Sequence, residues 1–179
     1  MHIKISRIQK TLPRLFLDLV CTWRSLDAPE TLTETDAEFA PETLLSLPWT
    51  AVAVVRGRDP FLRADLMEVL SILRKRAGLI IMIAPCTLPE RILSVMSAFP
   101  EIRLRLFPDT PETGKVLEEL EKLGCRHAGV YGERERSVMR LIQRRGRMVD
   151  PVGRVFRCSG SVKEACGRLK NRYAERSEQ

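Results

Sequence analysis

The chain has 179 residues, 44% of them hydrophobic and 30% charged, which is the make-up of a soluble globular protein large enough to need no staples. Aromatic residues are only 6%, which excludes a long stacking platform for bases or sugars. The net charge of +7 is unevenly placed: residues 123–179 hold 14 Lys/Arg against 6 Asp/Glu, and residues 1–122 hold 16 against 17. A basic third can meet nucleic acid, an acidic partner or an anionic ligand, or can simply be a solvated face. The five cysteines, at 21, 86, 125, 158 and 166, have no CxxC spacing. They point away from a disulfide framework or zinc site and toward a reducing, cytoplasmic setting. The basic start and the short run LFLDLV, interrupted by Asp18, fit neither a signal peptide nor a membrane span.

In chain order, residues 1–14 read as an N-terminal arm, and Leu15–Val20 as a first strand. Residues 21–41 read as a long polar loop and Glu42–Leu47 as a short helix. The β-branched run Ala51–Val55 predicts a buried strand. A loop punctuated by Gly57 and Pro60 follows, and then a helix with Leu66, Val69, Leu70 and Leu73 on one face. Leu79–Ala84 predicts another buried strand and Pro89–Ala98 a helix with proline in its first turn. Ile102–Phe107 alternates apolar residues with Arg, so one face is exposed or lines a polar cavity. Glu112–Leu123 predicts a helix capped by Thr110, and Gly124 stops it. Arg126–Tyr131 is a short strand, Glu133–Arg145 a basic helix and Gly153–Arg157 a last strand. Ser161 and Glu164 form a capping-box pattern for a final helix to about Ala174.

This βαβ rhythm implies a mostly parallel sheet with right-handed crossovers. The choice lies between an open doubly wound sheet and a partial barrel. The reading adopted is a single-domain partial (β/α)6-type barrel over residues 15–160, followed by a C-terminal helix and tail over 161–179. The Gly57 loop sits at the carboxyl end of a strand, where such folds carry their chemistry. No GxGxxG, P-loop, HExxH or GxSxG pattern occurs, and the histidines are only His2 and His127.

The segment GRDPFLRADL, residues 57–66, resembles the glycine-rich second motif of the radical SAM superfamily, a GGEP segment commonly followed by LLRPDL. Gly57 and Pro60 match, Arg58 replaces a glycine and Asp59 replaces the glutamate. LIIMIAPCTLPERI is similar to the family's next strand and TNGT loop, and IRLRLFPDTPE to its fourth strand and SLDGPEE-like turn. The resemblance covers about residues 15–125 and implies a partial (β/α) barrel. It also implies a site for S-adenosylmethionine (SAM) at Gly57, Arg58, Asp59 and Pro60, beside an iron–sulfur cluster held by Cys-x3-Cys-x2-Cys. Here Cys21 fits the first cluster ligand, but Ser25 and Ala28 stand at the second and third. One thiolate cannot hold the cluster.

The expectation is therefore a cluster-less pseudoenzyme. It binds a ligand or a protein partner, such as a true radical SAM enzyme or its substrate, and needs no cofactor. Arg56, Arg58 and Arg63 could make the site mouth receptive to an anion. Alternatively Arg58 points to solvent and Asp59 caps the following helix or pairs with an arginine. A second reading is an enzyme that keeps SAM or cluster binding, the latter across an oligomer. A third is an anion- or RNA-binding module using Arg136, Arg140 and Arg144, which share one helical face opposite an expected core stripe of Val138, Leu141 and Ile142. Cys158 and Cys166 lie in a segment that loosely resembles the family's auxiliary-cluster extension, or they pack in the core; Cys86 could approach Cys21 from a neighbouring loop, making two cluster ligands at most, and nothing distinguishes Cys125.

Overall fold

The computed structural model describes residues 16–22, 38–159 and 162–168. Its strands are β1 Phe16–Thr22, β2 Thr50–Gly57, β3 Ala77–Ala84, β4 Arg103–Leu106, β5 Gly129–Val130, β6 Arg147–Val149, β7 Arg154–Ser159 and β8 Val162–Arg168. Its α-helices are α1 Leu66–Arg76, α2 Pro89–Ala98, α3 Glu112–Lys122 and α4 Glu133–Arg145. One mixed sheet runs in the order β5-β4-β3-β2-β1-β6-β7-β8. The six strands from β5 to β6 are parallel, and β7 and β8 add antiparallel. The sheet is open, with β5 and β8 at its edges.

The period-two alternation of the strands divides the apolar residues between two faces. Ala53, Val55, Ile80, Met82, Leu104 and Leu106 face α1, α2 and α3 and form the main core. In α1, Leu66, Val69, Leu70 and Leu73 are at most 1% exposed, and burying each contributes about 1.5–3 kcal/mol. The opposite face is covered only by α4 among the described helices. There Val54 and Ile83 meet Met139 and Ile142 in a second, much smaller cluster.

The strand order explains this asymmetry. From β1 to β5 the chain steps steadily in one direction, and right-handed crossovers keep α1–α3 on one face. From β5 it then returns past four strands to place β6 beside β1. The same handedness puts that crossover, α4, on the other face.

Three expectations change. The sixth parallel strand is β6, whereas Gly153–Arg157 falls in β7, the second arm of a hairpin. Asp150 and Pro151 open its turn, the Gly153 N–H donates to the Asp150 carbonyl at 2.9 Å, and Gly153 takes φ +79°. Where a helix was expected from Ser161, residues 162–168 form β8, because the open edge of β7 offers a ladder that outweighs local helix signals. Thr110 does not cap α3; its hydroxyl meets that of Thr113 at 3.1 Å. The short helix at residue 42 is a 3₁₀ turn, Pro41–Ser46, and the N-terminal arm lies outside the described residues.

Candidate functional site

The loop after β2 is built inward. Asp59 accepts the Phe61 N–H at 3.0 Å and caps the 3₁₀ turn Pro60–Leu62, and its other oxygen accepts the Thr87 hydroxyl. Burial raises the Asp59 carboxyl above its ordinary pKa, against those two bonds and the nearby Arg91 charge. Gly57 permits a close backbone approach: a Cβ there would stand 2.5 Å from the Thr22 carbonyl oxygen at the end of β1. Its glycine is therefore required by the β1–β2 contact itself.

The three arginines expected at one anion-receptive mouth diverge. Arg58 is exposed. Arg63 is fully buried, donating to the Cys21 carbonyl at 2.7 Å and the Phe39 carbonyl at 2.5 Å and pairing with both Asp65 oxygens. Its guanidinium also lies 4.2 Å from the centre of the Phe39 ring. Arg56 turns to the α4 face and holds Asp18 bidentately, at 2.6 and 2.9 Å. Burial opposes the Arg56 charge, and the Asp18 carboxylate more than offsets it. Arg58 is thus exposed as the alternative reading has it, whereas Asp59 caps the 3₁₀ turn Pro60–Leu62 and not the following α-helix, whose N-cap is Asp65.

The described residues present no three-thiol donor set for an iron–sulfur cluster. Cys21 is a core residue on β1, 0% exposed, and burial pushes its thiol up to about 12. Ser25 and Ala28, at the second and third ligand positions, lie outside the described residues. Cys86 and Cys125 are also buried free thiols raised by burial. No group of three His, Cys, Asp or Glu side chains with metal-binding geometry occurs among the described residues. The His127 ring is exposed, and its backbone carbonyl accepts Arg105 at 2.7 Å. The side chains of Cys158 and Cys166 are outside what is described.

Two features that are far apart in the sequence come together at the carboxyl edge of the sheet. A cleft of about 310 Å³ is lined by Arg56 and Gly57 from the end of β2, Tyr131 after β5, and Arg136, Arg140 and Gln143 from α4. The Phe107 and Tyr131 rings, 5.2 Å apart and edge-on, form one wall. No carboxylate is among its described lining residues. The Arg136 partner is Glu133 at 2.8 Å, an exposed pair worth at most about 1 kcal/mol. Arg140 makes no ion pair among the described residues. Arg144 is exposed and does not line the cleft. The helix is rotated from the expected stripe: Met139 and Ile142 are buried, while Val138 and Leu141 are 40% and 44% exposed.

Sequence reasoning missed Asp18, Tyr131 and Gln143. Asp18 carried a signal, a lone acid inside an apolar strand that requires a partner. Tyr131 and Gln143 carried none.

Comparison of the chain with family models and with curated proteins returns no match.

Proposed function

We propose that this protein is a cluster-less, radical-SAM-like pseudoenzyme that binds a small anionic ligand in the cleft between the Gly57 loop and α4. On this reading the open sheet is a partial (β/α)6-type barrel whose sixth strand has moved beside the first. The Gly57 loop is then retained scaffold rather than a working cofactor loop. The observation that carries the proposal is the convergence of Arg56, Arg136 and Arg140 on one cleft with no carboxylate among its described lining residues. Phosphate or carboxylate oxygens suit such a set, since guanidinium groups recognise both through paired hydrogen bonds. The ligand is either free or an acidic group on a partner protein, and the buried free thiols Cys21, Cys86 and Cys125 favour a reducing, cytoplasmic setting.

SAM is disfavoured as the ligand, because the Asp59 oxygens are engaged by Phe61 and Thr87 and do not offer themselves to an amine. An extended RNA ridge is disfavoured because Arg136 and Arg140 turn into a cleft while Arg144 does not.

Titration calorimetry of the full chain with inorganic phosphate, inorganic pyrophosphate and SAM tests this. At least one of the two inorganic anions binds saturably, weakens with salt, and loses about tenfold or more in affinity in Arg136→Glu and Arg140→Glu. The proposal fails if neither anion binds, if these charge reversals change nothing, or if SAM binds in a manner abolished by Asp59→Ala. Four-iron incorporation dependent on Cys21 after anaerobic reconstitution would also overturn it.

A further inference from the structure

A second cavity, of about 260 Å³, lies on the same face of the sheet, between α4 and the amino-terminal halves of β2, β3 and β4. Its walls are aliphatic, chiefly Val52, Leu79, Ile81 and Val138. Met139 and Ile83 line both cavities and form the partition between them. Among the described helices one spans this face, for the reason given by the strand order, and its buried side chains in the second cluster are Met139 and Ile142.

The lining is unusual in its charges. Three arginines, Arg103, Arg105 and Arg134, and one acid, Glu135, contribute to it. Arg105 is committed: it pairs with Glu135 at 2.9 Å and donates to the Leu104 and His127 carbonyls. Glu135 is likewise committed, to Arg105 and to the Gly132 N–H at 3.1 Å. Arg103 and Arg134 are left, both exposed and neither in an ion pair among the described residues. An apolar cavity bordered by two uncompensated guanidinium groups suits a molecule that is apolar along its body and anionic at one end. The cavity is too small for a helix of a partner protein, which is about 10 Å across with its side chains.

We infer that this groove binds a short- to medium-chain aliphatic carboxylate, its chain against Val52, Ile81 and Val138 and its carboxylate held by Arg103 and Arg134. The site is separate from the anion cleft and stands whether or not that cleft is occupied. Each methylene that finds the wall raises affinity about fourfold until the groove is filled.

Titration calorimetry of the full chain with hexanoate, octanoate and octanol, below their aggregation concentrations, tests the assignment. Octanoate binds saturably at one site, more tightly than hexanoate and at least tenfold more tightly than octanol. Arg103→Glu combined with Arg134→Glu removes that preference, and both positions are exposed, so the fold is undisturbed. Val138→Trp, placed at a 40% exposed wall position, blocks the groove without entering the main core. Binding of whichever inorganic anion occupies the cleft is unchanged in both variants, which separates failure here from failure of the cleft. Equal binding of octanoate and octanol, non-saturable uptake, or indifference to the charge reversal overturns the inference. So does self-association that is abolished by Val138→Glu, which would make a second copy of the chain the occupant.

Discussion

The Arg63 guanidinium, fully buried, donates to the main-chain carbonyl of Cys21 at 2.7 Å and so ties the loop after β2 to the end of β1. The same group reaches the Phe39 carbonyl, where the chain returns toward the sheet. A single side chain thus gathers three backbone segments at the carboxyl edge. Removing it leaves two buried carbonyls without that donor and strands Asp65. Arg63→Ala is expected to destabilise the protein by about 2–5 kcal/mol, chiefly through the two buried carbonyls left without a donor, measured by urea unfolding. Arg63→Lys recovers little of this, because one ammonium cannot span the same partners. A loss under 1 kcal/mol in the alanine variant would refute the clamp.

Gly57→Ala tests the close approach of β1 and β2. Its methyl group would stand 2.5 Å from the Thr22 carbonyl oxygen, a backbone atom that can yield only by shifting the strand. A loss of about 1–3 kcal/mol is expected, together with weaker anion binding, since Gly57 also lines the cleft. Unchanged thermal stability would contradict the stated geometry.

Two carboxyls respond to pH in opposite senses. Asp59 is raised above its ordinary 3.8 by burial. The native state therefore holds its proton longer than the unfolded chain does, and the contribution of Asp59 to stability falls as pH rises from about 3.8 through its raised value. Asp59→Asn keeps an acceptor for Phe61 and removes the buried charge, so its urea midpoint relative to the parent protein should improve from pH 4 to pH 7. Glu135 is lowered from its ordinary 4.5, chiefly by the Arg105 hydrogen bond. Its contribution is present above 4.5 and disappears as pH falls through the lowered value. Glu135→Gln should cost about 1 kcal/mol at pH 7 and progressively less as pH falls below 4.5; a pH-independent cost would mean that the ion pair is not its source.

Cys21, pushed up to about 12 and fully buried, should resist alkylation at pH 8 in the native state and react once the chain is unfolded. Mass mapping after a timed iodoacetamide pulse decides this. Rapid native labelling would show that β1 opens locally, and would return Cys21 to consideration as a ligand.

Much of the fold was legible because its signals are local. The boundaries of α2 and α4 match the sequence reading, Pro89–Ala98 and Glu133–Arg145, since a first-turn proline and a terminal glycine mark them. The alternation around Arg103 and Arg105 pointed to a face that is exposed or lines a polar cavity; Arg103 is exposed, and the cavity that both residues border is largely aliphatic. β6 was not legible: Arg-Met-Val has no strand pattern of its own and is a strand because it pairs with Leu17–Leu19 from the other end of the chain. The turn residues Asp150–Gly153, flanked by short apolar runs, were the available clue. For the site, Arg136 and Arg140 were legible as one face, but their meeting with Gly57 depends on where α4 crosses the sheet. Helical periodicity alone could not orient a helix whose Val138 and Leu141 stay at the surface.

The position of β1 between β2 and β6 also has a bearing on how the protein is made. β2 leaves the ribosome soon after β1, whereas β6 emerges only after β2–β5 and α1–α4 have been made. Until then one edge of β1 carries an unsatisfied ladder of main-chain donors and acceptors, flanked by apolar side chains, the usual template for wrong pairing between nascent chains. Chains truncated before residue 147 inherit that exposed edge permanently, so the C-terminal hairpin serves as an in-built guard against aggregation as much as an extension of the sheet.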